Sequence, residues 1–253
     1  MLESYIKNRL KEKEILLMTH IVMGYPSLED SYSIAEEMVN GGVDIMELQI
    51  PFSEPTADGP VIVRANQSAL NDGIKVRDCL NMAGKIAYDF DIPFLIMTYY
   101  NIFYKYGVSS FTAAMAEHNL KGAIVPDLPP EEGQEYLKEM KDNSLSPIQL
   151  FSPTTSSERM TYLASLGDGF IYCVARKGVT GENTNFSENL SSYLAQCRKA
   201  TSLPLALGFG IKGKKDIDFL KGKADIAVIG SQTIRIVEQN GVKAVGDFIR
   251  SVQ

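Results

Sequence analysis

The chain has 253 residues, 45% of them hydrophobic, and a formal net charge of −6 at pH 7. This length fits one large α/β domain or two small ones, and the hydrophobic content can fill a sizeable core. The acidic balance argues against a nucleic acid or an anionic membrane as partner. The cysteines and histidines have no metal-binding or disulfide spacing, so we expect a reduced, cytoplasmic protein without a bound metal.

The N-terminal segment contains Leu2, Ile6 and Leu10 at fourfold spacing. This pattern predicts a short amphipathic helix laid across the body of the domain. The segment lacks the apolar core of a signal peptide, and no run in the chain reaches transmembrane length.

Short apolar or β-branched runs alternate along the chain with longer segments of helical period. This alternation predicts parallel strands joined by helical crossovers, and eight β/α units in about 250 residues match one closed (β/α)₈ (TIM) barrel over residues 1–253. An open doubly wound sheet is the alternative, but no Gly-x-Gly-x-x-Gly follows the first strand. The second connection is the longest and has room for an extra helix. The strands are expected at residues 16–23, 43–50, 93–98, 122–125, 147–151, 169–175, 203–207 and 226–229.

Two carboxylates, Glu47 and Asp58, are the most informative side chains. Glu47 interrupts a run that predicts a buried strand, where an unpaired charge is strongly unfavourable. Asp58 follows in a loop stiffened by Pro51, Pro55 and Pro60. Both fall at the carboxyl end of strand two, where barrels carry their catalytic residues, so we predict an acid and a base facing one small molecule. The alternative is a structural ion pair for Glu47 and a turn cap for Asp58.

Glycine turns follow the last two predicted strands. Gly208 and Gly210 come after strand seven, and Gly230 with Ser231 opens a helix after strand eight. Backbone amides in such turns can approach an anion closely, and barrels often hold phosphate at this position. The turns therefore predict a phosphate site, with simple turn geometry as the alternative.

A long polar connection, residues 176–186, follows strand six and contains two glycines. It predicts a lid that closes over the site, with the Thr180 hydroxyl against a catalytic carboxylate and the Gly181 amide on the phosphate. An ordinary surface loop is the alternative.

Taken together, four segments resemble the tryptophan synthase alpha chain family: residues 47–60, 176–181, 208–211 and 230–231. The resemblance spans essentially the whole chain. It implies a carbon–carbon lyase of tryptophan biosynthesis that cleaves indole-3-glycerol phosphate into indole and glyceraldehyde 3-phosphate by a retro-aldol reaction. It also implies no cofactor in this chain, a beta chain that carries pyridoxal phosphate, and an allosteric α₂β₂ heterotetramer.

The resemblance also implies roles for individual residues. Glu47 is the general acid and base at indole C3 and the side-chain hydroxyl, and Asp58 accepts the indole N–H. Tyr172 is expected to line the cavity, with plain core as the alternative. Phosphate is assigned to Gly181, Gly208, Gly210, Gly230 and Ser231. Partner-facing positions are Glu54, Pro55, Asn101 and Asp127.

Three positions around the pocket depart from the usual family pattern. Gln49 replaces a glycine, and His20 and Val22 replace an aromatic residue and a threonine. Period-two alternation puts Gln49 on the same side of its strand as Glu47. If Gln49 points into the cavity, it should fill substrate volume or hydrogen-bond Glu47 in an unproductive rotamer. His20 is expected as a hydrogen-bonded filler. Two functions stay open: an active lyase, and a weakened lyase that acts mainly as an allosteric activator of the beta chain. Another phosphosugar barrel enzyme is a separate alternative, because many barrels share glycine phosphate turns.

Overall fold

The chain folds into a closed barrel of eight parallel strands in sequence order, with β8 paired to β1. The computed structural model describes residues 2–175, 183–208 and 210–253, with backbone alone for residues 183–188. The predicted TIM barrel is confirmed, and the open sheet is excluded because the first and last strands pair. The strands are β1 (Leu16–Val22), β2 (Ile45–Gln49), β3 (Phe94–Met97), β4 (Gly122–Ile124), β5 (Ser146–Phe151), β6 (Ile171–Val174), β7 (Leu205–Gly208) and β8 (Ile226–Ile229).

Twelve helices occur in the described residues. They are α1 (Leu2–Arg9), α2 (Leu28–Asn40), α3 (Pro60–Asn71), α4 (Val76–Asp89), α5 (Tyr100–Tyr106), α6 (Val108–Glu117), α7 (Gln134–Asp142), α8 (Ser157–Leu166), α9 (Asn183–Ala200), α10 (Lys214–Leu220), α11 (Ser231–Asn240) and α12 (Lys243–Val252). The expected N-terminal helix is α1, and the long second connection holds both α3 and α4. Across the described part of the chain, no helix is long and apolar enough to cross a bilayer.

Strand alternation separates two apolar layers. In β1, Leu16 and Met18 point into the barrel interior, while Leu17 and Ile21 join the layer between the barrel and its helices. Both faces are buried, and this explains why the strands read as continuous hydrophobic runs.

Helix α1 closes the amino end of the barrel. Leu2 and Ile6 are buried and belong to the same cluster as the barrel interior. Gly169 lies against Leu2 at a φ of +83°, and a Cβ at Gly169 would come within 2.7 Å of Leu2 Cδ2. The glycine allows both the left-handed backbone and the close contact.

Asp44, just before β2, clamps this end of the barrel. Its carboxylate accepts hydrogen bonds from Arg9 (3.0 Å), from Lys13 (2.8 and 2.9 Å) and from the backbone N–H of Leu17 (3.0 Å). Tyr5 donates to the Asp44 carbonyl at 3.1 Å. The buried charge is therefore fully paired, and it ties the N-terminal segment to the first two strands.

Candidate active site

A cavity of about 670 Å³ opens at the carboxyl end of the barrel. Glu47 of β2 and Asp58 of the β2–α3 loop both line it, as predicted from their position in the sequence. The glycine turns after β7 and β8 line it as well. The predicted residues that border the cavity are Glu47, Asp58, Tyr172, Gly208, Gly210, Gly230 and Ser231.

Glu47 is held by His20 across the β1–β2 pair. The two residues are in register, both are buried, and Nδ1 of His20 lies 2.9 Å from Oε1 of Glu47. The other atoms of the pair, Oε2 of Glu47 and Nε2 of His20, have no hydrogen-bond partner within the described residues. One oxygen of the carboxyl group is therefore fixed, and the other is unpaired.

The environment of His20 favours its protonated form. Burial lowers the pKa of His20, but the hydrogen bond and charge of Glu47, the charge of Asp58 and the side chain of Gln49 raise it, and the net shift is upward. Two nearby carboxylates stabilise an imidazolium in this way.

Asp58 is held by two donors on one oxygen. Nε2 of Gln49 and the hydroxyl of Tyr99 both donate to Oδ2, at 2.7 and 3.1 Å. Tyr99 is buried, and its hydroxyl also accepts the backbone N–H of Ala57 at 3.0 Å. Burial and the charge of Asp58 hold the pKa of Tyr99 far above its ordinary value, so the hydroxyl keeps its proton and acts as a donor.

The local sequence explains why the β2–α3 loop presents Asp58. The backbone N–H of Phe52 donates to the side chain of Asn66 at 2.9 Å, and the Phe52 ring stacks on Tyr99. Gly59 precedes α3, and Pro60 occupies its first turn, where a missing N–H has no consequence. The loop is thus tied at both ends, which orients Asp58.

Tyr172 on β6 lines the cavity together with the two carboxylates, Glu47 and Asp58. Burial first, then the charges of Glu47 and Asp58, raise the pKa of its hydroxyl well above the ordinary value.

The glycine turns present backbone to the β7 and β8 side of the cavity. Gly210 has a φ of +82°, and a Cβ there would meet nothing within 4 Å. A Cβ at Gly208 would lie 3.0 Å from the Tyr172 hydroxyl. Gly230 caps the N-terminus of α11, whose first residue is Ser231. Unpaired N–H groups at a helix start are suited to an anion.

Two cations beside these turns were missed by the sequence analysis. Lys212 and Arg235 line the cavity, and Nη1 of Arg235 donates to Oγ of Ser231 at 3.3 Å. The spacing of Ser231 and Arg235, four residues apart on one helix, is the signal that could have found the second cation.

Gln49 does not meet the condition under which it was expected to interfere with substrate or with Glu47. Gln49 is fully buried, does not border the cavity, and donates to Asp58 rather than to Glu47. The strand register gives the reason. Glu47 pairs with His20, whereas Gln49 pairs with Val22, two residues nearer the loop that carries Asp58.

The predicted lid lies mostly outside the described residues. Thr180 and Gly181 belong to that part of the chain, so their placement stays a prediction. The expected end of the connection was wrong, because α9 already begins at Asn183.

The four residues predicted to face a partner lie near the same rim. Glu54 and Pro55 are in the β2–α3 loop, Asn101 is in the first turn of α5, and Asp127 follows β4. The carboxylate of Asp127 accepts the backbone N–H of Tyr100 at 2.9 Å, which joins two of these segments.

Comparisons with known proteins agree with this geometry. The family model for the tryptophan synthase alpha chain matches residues 6–250. The tryptophan synthase alpha chains of Desulforapulum autotrophicum and Syntrophotalea carbinolica are 64% and 58% identical, with full coverage of both chains in each case. The crystal structure of tryptophan synthase subunit alpha from Legionella pneumophila is 29% identical, with a TM-score of 0.90 over 99% of this chain and 96% of that one. The chain therefore belongs to the tryptophan synthase alpha chain family.

Proposed function

We propose that this chain is the alpha subunit of a tryptophan synthase and cleaves indole-3-glycerol phosphate into indole and glyceraldehyde 3-phosphate. The observation that carries the proposal is one cavity lined by Glu47, Asp58 and the glycine turns after β7 and β8. Two carboxylates and anion-binding backbone in the wall of one cavity fit a small ester with an indole ring and a phosphate.

Glu47 moves the protons of the reaction. Its carboxyl group gives a proton to indole C3, and the ring becomes a cation. The bond between C3 and the side-chain carbon then breaks, and its electron pair restores the indole ring. The electron pair of the hydroxyl O–H bond becomes the second bond of the aldehyde C=O group. The hydroxyl proton returns to Glu47, so the group ends as it began. Positioned proton transfer of this kind contributes about 10² to 10⁴ in rate.

Asp58 stabilises the ring cation. Gln49 and Tyr99 both donate to Oδ2, which leaves Oδ1 to accept the indole N–H. The two hydrogen bonds orient the carboxyl group before substrate arrives, which is the arrangement that lowers a barrier most effectively.

The phosphate is proposed to bind at the glycine turns. Gly208, Gly210, Gly230 and Ser231 supply backbone and hydroxyl donors, with Gly181 of the lid as a further donor. Arg235, one turn beyond Ser231, adds a positive charge beside the hydroxyl. Tyr172 borders the space between the phosphate and the carboxylates, and Thr180 is proposed to reach a carboxylate on lid closure.

Membership of the family implies a beta chain as partner, and alpha chains of this family need no cofactor of their own. We propose an α₂β₂ assembly in the cytoplasm, with pyridoxal phosphate in the beta chain and this chain as one barrel domain. Glu54, Pro55, Asn101 and Asp127 are the proposed contacts, since they lie near the rim of the cavity.

The test adds indole-3-glycerol phosphate to the purified chain, alone and with a beta chain, and follows indole release. We expect release that is faster with the beta chain and nearly lost in Asp58→Asn. Tyr88→Phe is the control, because Tyr88 is 87% exposed and far along α4. No release by the wild type under either condition would contradict the lyase.

A second assay measures conversion of added indole and serine to tryptophan by the beta chain. Strong activation by this chain without any cleavage would support the alternative, a weakened lyase that acts mainly as an allosteric activator.

A further inference from the structure

His20 makes the one hydrogen bond that fixes Glu47 among the described residues. Nδ1 of His20 and Oε1 of Glu47 are 2.9 Å apart, both side chains are at most 5% exposed, and both border the cavity. A histidine that filled core volume would not need a place in the cavity wall or a hydrogen bond to its acid. The contact instead couples two titratable groups at the reaction centre.

The unpaired atoms of the pair are as informative as the bond. Oε2 of Glu47 and Nε2 of His20 are buried without a partner in the described part of the chain. Buried polar atoms are normally satisfied, so two orphan atoms on one hydrogen-bonded pair indicate positions that substrate or a proton occupies during function. One proton lies in the hydrogen bond between Nδ1 of His20 and Oε1 of Glu47. A second proton can be carried by either Oε2 of Glu47 or Nε2 of His20.

A carboxyl group alone offers a single titratable site for the protons of the reaction. A histidine bonded to the carboxylate changes this, because protons then belong to the pair.

We propose that His20 is a positioning and proton-storing partner of Glu47, which anchors Oε1 so that Oε2 meets the substrate and keeps a second proton on the pair at neutral pH. The inference rests on the proposed function and deepens it. During cleavage, the carboxyl proton goes to indole C3 while Nδ1–H of His20 remains bonded to the new carboxylate. The hydroxyl proton then returns to that carboxylate, so the pair regains its second proton.

The groups around His20 favour this storage. Glu47 and Gln49 face it from β2, Asp58 faces it from the β2–α3 loop, and all three act to raise its pKa. From β8 and α11 it meets Gly230 and Thr233, which are uncharged, and the Thr233 hydroxyl donates to the backbone carbonyls of His20 and Gly230 rather than to the imidazole. Tyr172 and the cations Lys212 and Arg235 border the same cavity.

Two substitutions separate positioning from storage. His20→Asn keeps a donor near Nδ1 but cannot store a proton, whereas His20→Phe removes both properties. The pH profiles of kcat and kcat/KM are measured for each. The pair can no longer supply a proton to the substrate once it has lost its second proton. We therefore expect the activity of the wild type to fall as the pH rises, at a pH above the ordinary histidine pKa of 6.5.

In His20→Asn we expect this alkaline limb to move to lower pH, with kcat near that of the wild type on the acid side. In His20→Phe we expect kcat to fall about 10-fold to 100-fold across the whole range, the effect of losing a hydrogen bond to a charged group. KM changes little in either variant, because both replacements keep the Cβ of His20, which is the atom that faces Gly230 of the phosphate site. His118→Asn is the matched control, since His118 caps α6 outside the barrel.

Nitrogen NMR gives a readout that does not depend on cleavage. The chain has two histidines, so ¹⁵N-labelled histidine yields two sets of signals, and His118→Asn assigns them. We expect the titration of His20 to move to lower pH in Glu47→Gln.

Two results would overturn the inference while the proposed function stands. One is an unchanged pH profile in His20→Asn together with full kcat in His20→Phe, in a protein whose cleavage requires Glu47. The other is a His20 titration that Glu47→Gln leaves unaltered. A wild-type chain without cleavage would overturn the proposed function itself.

Discussion

Asp44 and Glu47 are two buried acids three positions apart, and they differ in how completely their carboxylate oxygens are hydrogen-bonded. Asp44 lies at the closed amino end of the barrel, where Arg9, Lys13 and a backbone N–H satisfy both of its oxygens. Glu47 lies at the open end, where His20 satisfies one oxygen and the other is unpaired. A fully paired buried acid indicates a structural role, and a half-paired acid beside a cavity indicates chemistry.

Glu47→Gln should have the largest effect. Indole release is expected to fall by about 10² to 10⁴, because the amide cannot supply or accept the reaction's protons. Folding should be unaffected, since glutamine is isosteric and can still hydrogen-bond His20. The measurements are initial rates of indole release and urea unfolding. Unchanged release would show that Glu47 takes no part in the mechanism, and Glu47 would then be a structural acid like Asp44.

Asp44→Asn should act on stability instead. Losing the carboxylate leaves Arg9, Lys13 and the Leu17 N–H with a weaker partner, and we expect the free energy of unfolding to fall by about 2 to 4 kcal/mol. Activity per folded molecule should persist. Asp247→Asn is the control: its ion pair with Arg250 is exposed, so the change should stay within about 0.5 kcal/mol. A stable Asp44→Asn variant that has lost cleavage would reverse the assignment of the two acids.

Tyr99→Phe tests whether the second carboxylate depends on its donors. The change removes one hydrogen bond to Asp58 and the acceptor of the Ala57 N–H, so we expect kcat/KM to fall about tenfold. Tyr104→Phe is the matched control, because Tyr104 is 69% exposed. Equal activity in both variants would show that Gln49 alone positions Asp58.

Arg235→Gln should give the smallest effect. A half-exposed cation beside Ser231 contributes about 1 kcal/mol to binding a phosphate, so KM should rise about fivefold while kcat is kept. The increase should shrink as salt screens the charge. Arg250→Gln, far from the cavity, should change neither constant. A fall in kcat with KM unchanged would place Arg235 outside phosphate binding.

Much of this architecture was accessible from the sequence. The alternation of apolar runs and helical segments predicted the barrel, and the barrel placed Glu47, Asp58 and the glycine turns at one end. These inferences depend only on local pattern and on the rule that parallel strands share a carboxyl edge.

The hydrogen-bond partners were not accessible, because they depend on register between strands. The sequence offered a hydrogen bond from Gln49 to Glu47. In the structure, His20 bonds Glu47, and the β2–α3 loop places Asp58 within hydrogen-bond distance of Gln49. The role of Asp44 was missed for the same reason, since its cations come from the N-terminal segment. Arg235 was missed because a lone arginine on an amphipathic helix is usually solvated.

The packing of Leu2 against Gly169 has a consequence for biosynthesis. Gly169 is synthesised 167 positions after Leu2, and the last members of the apolar cluster that holds Leu2 belong to β7 and β8, which come later still. Until then, the native site of Leu2 and Ile6 is incomplete, and part of their apolar surface stays uncovered on the nascent chain. Chaperone contact with this helix during translation should therefore persist until β8 emerges.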